Sequence, residues 1–174
     1  MNTIERCVGC NAQVEAIEGP IHRYMTSAPA CWKRNGELLN VLYARPQNQI
    51  VLIMCVDTYA AQHPGNHNPQ AIQSVAIHLL NMYGYLVLRR AVKVPQATFS
   101  EKAFHAIAPP HLRAMYWLDP APKFEDALTV FDVPIDGDGD AIAGAAKAWA
   151  ESVWTAWRAH HVKIAQWYAQ FALS

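Results

Sequence analysis

Val56-Asp57-Thr58-Tyr59-Ala60-Ala61-Gln62-His63-Pro64-Gly65 decides how this chain is organised. A helix that begins near Asn48 runs through the stretch and stops at Pro64-Gly65. Proline lacks the amide donor a helix interior needs, and Gly65 can take the positive φ that closes a helix. His63 therefore falls in the last helical turn. On a helical wheel Leu52, Val56, Tyr59 and His63 share a narrow sector, so the imidazole lies on a face with core residues. Asp57 lies well off that face, where its role is to orient an imidazole rather than to ligate beside His63.

The same reading extends outward. Ser27 is the expected cap of a helix from Pro29 to about Tyr43, with Gly36 weakening its middle and Pro46 ending it. Asn68-Pro69 opens a third helix that runs to about Arg90, with Ala71, Ser74, His78, Met82 and Tyr85 on one face. Residues 91–97 read as a linker and 100–107 as a short helix capped by Ser100. Asp140 is the expected cap of a long helix to about Phe171, whose wide apolar side makes it the central one. That side carries Trp149, Trp154, Trp157, His160, His161 and Trp167. Four long helices with short connections predict a mainly α protein, an antiparallel helical bundle. The alternative is an α+β domain in which residues 111–135 form a sheet, with strands at 115–118 and 128–131 making a short β-hairpin near 114–132.

Composition limits the function classes. With 174 residues the chain is expected to be a single domain, 1–174, with 1–28 as a cysteine segment packed on the bundle. Net charge is zero and only 16% of residues are charged, which argues against a nucleic-acid or anionic membrane partner. The longest apolar run, Ile50 to Val56, is far short of the ~20 residues of a membrane span. The polar N-terminus lacks a signal-peptide core, so cytoplasmic residence is the expectation. There cysteines stay reduced, and paired ones are better read as ligands than as disulfides.

Cys7-Val8-Gly9-Cys10 is the strongest chemical motif. Two thiolates at this spacing can hold one tetrahedral zinc from a tight turn, and the glycine lets the turn close. Cys31 is the natural third ligand, with His22 or a helix histidine such as His63 as the fourth. A redox reading would need a βαβ context that is absent here. His63, His78 and one of His160 and His161 form a second candidate set, because each lies on the inward face of a different helix, the arrangement bundles use for metal sites. Asp136-Gly137-Asp138-Gly139-Asp140 opens like a calcium loop, but Ala141 and Lys147 stand where the glycine and glutamate should be, so it reads as a turn.

The order of motifs resembles a family of small uncharacterised bacterial proteins, a domain of unknown function. The matching pieces are Cys7-Val8-Gly9-Cys10, Gly19-Pro20-Ile21-His22-Arg23-Tyr24, Cys31-Trp32, the stretch quoted first, Ser74-Val75-Ala76-Ile77-His78-Leu79, and Trp149-Ala150 with Ser152-Val153-Trp154 and His160-His161. The resemblance implies one recurring architecture and no activity. A fold-level likeness also runs to the DinB-like thiol transferases, which hold a divalent metal with histidines from different helices.

Three functions are in play. The first is a helical protein with a structural zinc. The second is a metal-dependent hydrolase or thiol transferase that uses the helix histidines on a small molecule. The third is an interaction module whose aromatic helix face meets a partner helix or a second copy of the chain. A merged outcome, in which the cysteines and one helix histidine close a single site, would remove the metal-enzyme reading.

Overall fold

The computed structural model describes residues 3–45, 49–90 and 115–171. A two-stranded antiparallel sheet comes first, β1 (Ile4–Arg6) paired with β2 (Gln13–Glu15), with Glu5 opposite Val14. The helices follow: α1 (Pro29–Tyr43), α2 (Gln49–Gln62), α3 (Pro69–Met82), α4 (Gly139–Ala156) and α5 (His161–Phe171). The fold is mainly helical, as the periodicity predicts.

The centre is α2, which packs on α1, α3 and α4. Its sequence explains this. From Asp57 to Gln62 every residue is buried, and Leu52 and Cys55 extend the buried surface toward the helix start. A helix covered on all sides belongs in the middle of a domain. The expectation that the long C-terminal helix is central is corrected accordingly. That helix is also broken: α4 ends at Ala156, a 3-10 turn spans Trp157–His160, and α5 continues. The break turns the Trp157 indole onto Ala61 O at 3.1 Å, while His161 Nε2 donates back to Trp154 O at 2.9 Å. Trp149 Nε1 donates to Gln62 Oε1 at 2.9 Å, and Gln62 Nε2 donates to Leu128 O at 2.8 Å. Indoles of the C-terminal helices thus fasten the end of α2 immediately before His63.

Capping follows side-chain chemistry more closely than position. Asn68 accepts from Ala71 N at 2.9 Å, and Pro69 takes the first helical position, as read from the sequence. Asp138, not Asp140, caps α4, accepting from Ala141 N at 2.8 Å. Ala28 stands at the start of α1, and Ser27 is buried with its hydroxyl unpaired among the described residues. The third helix stops being α at Met82 and widens into a π turn, Tyr83–Val87, before Arg89 takes a left-handed φ of 53°.

The only sheet among the described residues is the N-terminal one, so the hairpin near 114–132 is a correction. The competing force is a local cap. Thr129 Oγ1 accepts from Phe131 N, and the Asp132 carboxylate accepts from Thr129 N at 2.7 Å, which winds Val130–Asp132 into a 3-10 turn with Val130 buried. Residues 115–118 pair with no strand. Pro46, the linker 91–97 and the short helix 100–107 lie outside the described residues. No helix among the described residues is long and apolar enough to cross a membrane.

A candidate metal centre

The N-terminal segment reaches α2 through two close backbone approaches. Met25 pairs with Pro64 in an isolated antiparallel bridge, and Thr26 N donates to His63 O at 3.3 Å. Gly65 has no positive φ, contrary to the expected helix stop. Its need is space: a Cβ there would run into the Tyr24 carbonyl. Gly9 has the same need on the other side, where a Cβ would strike the His63 ring and Thr26 O. Asn11, at a left-handed φ of 63°, turns the chain after Cys10, with its amide on Cys7 O at 2.8 Å. Asparagine tolerates that conformation because its short polar side chain can bond locally.

These approaches bring together Cys7, Cys10, Cys31 and His63. Their four donor atoms lie within 4.8 Å of one another, and all four residues are buried. Cys10 Sγ is 3.7 Å from Cys31 Sγ, and Cys31 Sγ is 3.4 Å from His63 Nε2. Three of the four donors are oriented from behind. His63 Nδ1–H donates to Tyr59 O at 2.8 Å, which leaves the Nε2 lone pair facing the sulfurs. Ala28 N donates to Cys7 Sγ at 3.3 Å, and the Tyr59 hydroxyl donates to Cys31 Sγ at 3.6 Å. Tyr59 also stacks on the His63 ring, 3.9 Å between centroids.

The electrostatics fit a site that wants a cation. Hydrogen bonds from the Cys10 and Cys31 thiols, against the cost of burial, hold Cys7 well below the usual thiol range. The Cys31 contact lowers Cys10, but Cys7 and burial outweigh it and push Cys10 up to about 12. Cys31 is raised by its Cys10 and Cys7 contacts and by burial. One negative charge is therefore easy to form among three sulfurs, and the others are hard without a positive centre between them. Burial first, then the neighbouring Cys31 sulfur, keeps the Tyr59 hydroxyl protonated as a donor. The arrangement is compatible with metal binding.

The other histidines named from the sequence go elsewhere. His22 packs its ring against Trp32 and Tyr24, and its Nδ1 accepts from Tyr24 N at 3.3 Å. Burial first, and then His78, hold its ionisation below the usual value. His78 Nδ1 is paired with Asp57 Oδ1 at 2.7 Å. His160 Nε2 donates to Pro120 O at 2.8 Å, and His161 stacks on Trp154 at 4.1 Å. The expected convergence of His63, His78 and His160 or His161 is corrected: each imidazole has its own separate partner. Asp57 does orient an imidazole, that of His78. Asn81, which donates to Asp57 Oδ1 at 3.1 Å, went unread, although its i+3 spacing from His78 puts the two on one helix face.

Fold and site together define a mainly helical protein that closes a buried Cys3His cluster between an N-terminal hairpin and a central helix. The chain belongs to a family of unknown function, DUF5946, which matches residues 5–158. No curated protein and no solved structure matches it.

Proposed function

We propose that Cys7, Cys10, Cys31 and His63 bind one zinc ion, and that the ion is structural. The carrying observation is the convergence of four buried donors within 4.8 Å. The spacings support zinc in particular. Bond lengths of ~2.3 Å to sulfur and ~2.0–2.1 Å to nitrogen give tetrahedral edges of about 3.8 Å between sulfurs and about 3.6 Å between sulfur and nitrogen. The corresponding separations here are 3.7 and 3.4 Å. Four protein ligands leave no open position for a substrate, which is the mark of a structural rather than a catalytic zinc. The ion would tie the N-terminal hairpin and the start of α1 to the end of α2, so binding and ordering of that segment are coupled. Reduced thiols suit a cytoplasmic protein.

Elemental analysis of the purified chain tests this. One zinc per chain is expected, and none in the Cys7→Ser/Cys10→Ser double variant. Equal metal content in the two proteins, or no metal even after incubation with zinc, overturns the proposal.

A further inference from the structure

A second polar cluster lies on the other side of α2. Asp57 is 2% exposed. Its Oδ1 accepts from His78 Nδ1 at 2.7 Å and from Asn81 Nδ2 at 3.1 Å, both carried on or just inside the end of α3. Its Oδ2 is buried and makes no hydrogen bond among the described residues. The neighbouring Thr58 hydroxyl is committed to Met54 O at 2.7 Å. Tyr85 has a buried hydroxyl that is also unpaired among the described residues. Burial first, and next the Asp57 charge, push its ionisation well above the ordinary value, so the phenol and the carboxylate are electrostatic neighbours.

Two features separate this cluster from an ordinary buried ion pair. A purely structural carboxylate would have both oxygens satisfied, because an unpaired buried acceptor is destabilising. Here one oxygen is left over, and the Tyr85 hydroxyl, which feels the Asp57 charge, is unpaired as well. In addition, Tyr85 belongs to the π turn Tyr83–Val87 that follows α3. Such turns are rare, cost helix geometry and recur at functional sites. The pairing with Asp57 puts a proton on Nδ1, which in the neutral ring leaves the lone pair on Nε2. The His78 side chain is 19% exposed, so that lone pair sits on a ring within reach of solvent.

We propose that Asp57 and His78, backed by Asn81 and Tyr85, form a general-base site distinct from the thiol cluster, which takes a proton at His78 Nε2 from water or another small hydroxyl compound and so activates it to attack an acyl group. As the hydroxyl oxygen bonds to the acyl carbon, its proton passes to Nε2. The bond from that carbon to the leaving oxygen then breaks, the leaving oxygen keeps the electron pair, and Nε2 returns the proton to it. Asp57 holds the tautomer and steadies the transient imidazolium; it does not touch the substrate and is a positioning residue. No step involves the cysteines.

The probe is p-nitrophenyl acetate, used with the full metal-loaded chain. The wild-type chain should release p-nitrophenolate faster than free imidazole at equal concentration. His78→Gln should lower the rate by about 100-fold, the low end of what a general base contributes. Asp57→Asn should lower kcat by roughly 10-fold with KM little changed, because it loosens the tautomer and leaves the imidazole in place. His160→Gln, which alters an imidazole bonded to Pro120 O, should leave the rate unchanged. No release above background by the wild type, or equal rates in wild type and His78→Gln, overturns the proposal. Nitrogen-15 spectra of the wild-type imidazoles give an arm that needs no variant to fold. A His78 proton on Nδ1 supports the site, and a proton on Nε2 overturns it.

Discussion

α2 carries His63 into the thiol cluster and Asp57 into the pair with His78, and the two clusters differ in what they leave unsatisfied. Six residues separate them, which at 100° each sets them about 120° apart around the helix. In the thiol cluster three of the four donors have a partner behind them. Tyr59 O holds the His63 ring, Ala28 N meets Cys7, and the Tyr59 hydroxyl meets Cys31. In the Asp57 cluster one carboxylate oxygen and one phenol are left unpaired among the described residues. Complete satisfaction rigidifies and belongs to a structural element. Incomplete satisfaction is destabilising and persists where something else is gained. The comparison therefore leaves the first cluster the better satisfied of the two and the second with unmet hydrogen-bonding capacity.

The largest expected effect breaks the closed cluster. Cys31 is its centre, because its sulfur lies against Cys10 Sγ, His63 Nε2 and the Tyr59 hydroxyl. Cys31→Ser should release the metal and destabilise the fold by at least about 3 kcal/mol, given that structural zinc supplies folding free energy directly. At roughly 2–4 °C per kcal/mol for a chain of this size, the melting temperature should fall by about 6–12 °C. A chelator should produce a similar fall in the wild type and almost none in the variant. A wild-type melting curve insensitive to chelator would reverse the assignment of stability to this cluster.

A smaller effect uses two glycines of opposite meaning. Gly9 has no room for a Cβ, because the His63 ring and Thr26 O occupy it. Gly9→Ala should cost about 1–3 kcal/mol through overpacking and make the metal easier to remove by a competing chelator. Gly36 lies exposed within α1 with nothing inside 4 Å of the added carbon. Gly36→Ala should stabilise by about 0.5–1 kcal/mol through backbone entropy. Thermal melts of the two variants check both signs. A neutral Gly9→Ala with unaltered metal retention would mean that the knuckle is not pressed against His63.

These clusters were not equally legible in the sequence. Cys7, Cys10 and Cys31 could be named because thiols at that spacing have few other uses, and His63 because Pro64 fixes its place at a helix end. Choosing His63 over His22 was not possible, since the choice depends on the Met25–Pro64 bridge and on Gly9 meeting the His63 ring. Helical wheels put His78, His160 and His161 on inward arcs, but an arc gives no distance and no partner. The wheel also assumed one continuous helix from 140 to 171. The helix is interrupted at Trp157–His160, where the Trp157 indole bonds to Ala61 O and the His161 ring bonds back to Trp154 O. The hairpin expected near 114–132 failed for a related reason: apolar, β-branched residues there are held by the Thr129–Asp132 cap, a local hydrogen-bond choice that alternation does not register. α2 was legible as a helix. Its central position was hidden, because the run from Asp57 to Gln62, buried on every side, has no periodicity to show.

The last effect concerns the fourth cysteine, the thiol that belongs to neither cluster. Cys55 is fully buried in α2, and burial alone pushes it from its ordinary 9.0 up to about 12. Unlike Cys10 and Cys31, it makes no hydrogen bond to another thiol among the described residues, so it should behave as a small apolar side chain that resists ionisation. Its folded pKa lies above the unfolded one, so the unfolded chain loses the proton first. The associated stability is fully present below pH 9 and is lost as the pH rises toward 12. By pH 10.5 the loss should be about 2 kcal/mol, on the order of 1.4 kcal/mol for each unit above the unfolded value. Other buried groups also titrate in this range, so the informative quantity is a difference between proteins. Urea denaturation at pH 8 and pH 10.5, on the wild type and on Cys55→Ala, isolates it. The variant should start out less stable, having lost a buried sulfur, and should decline less between the two pH values. Equal declines would show that Cys55 ionises as easily in the folded chain as in the unfolded one, and that the interior of α2 next to Asp57 is wetter than its burial indicates.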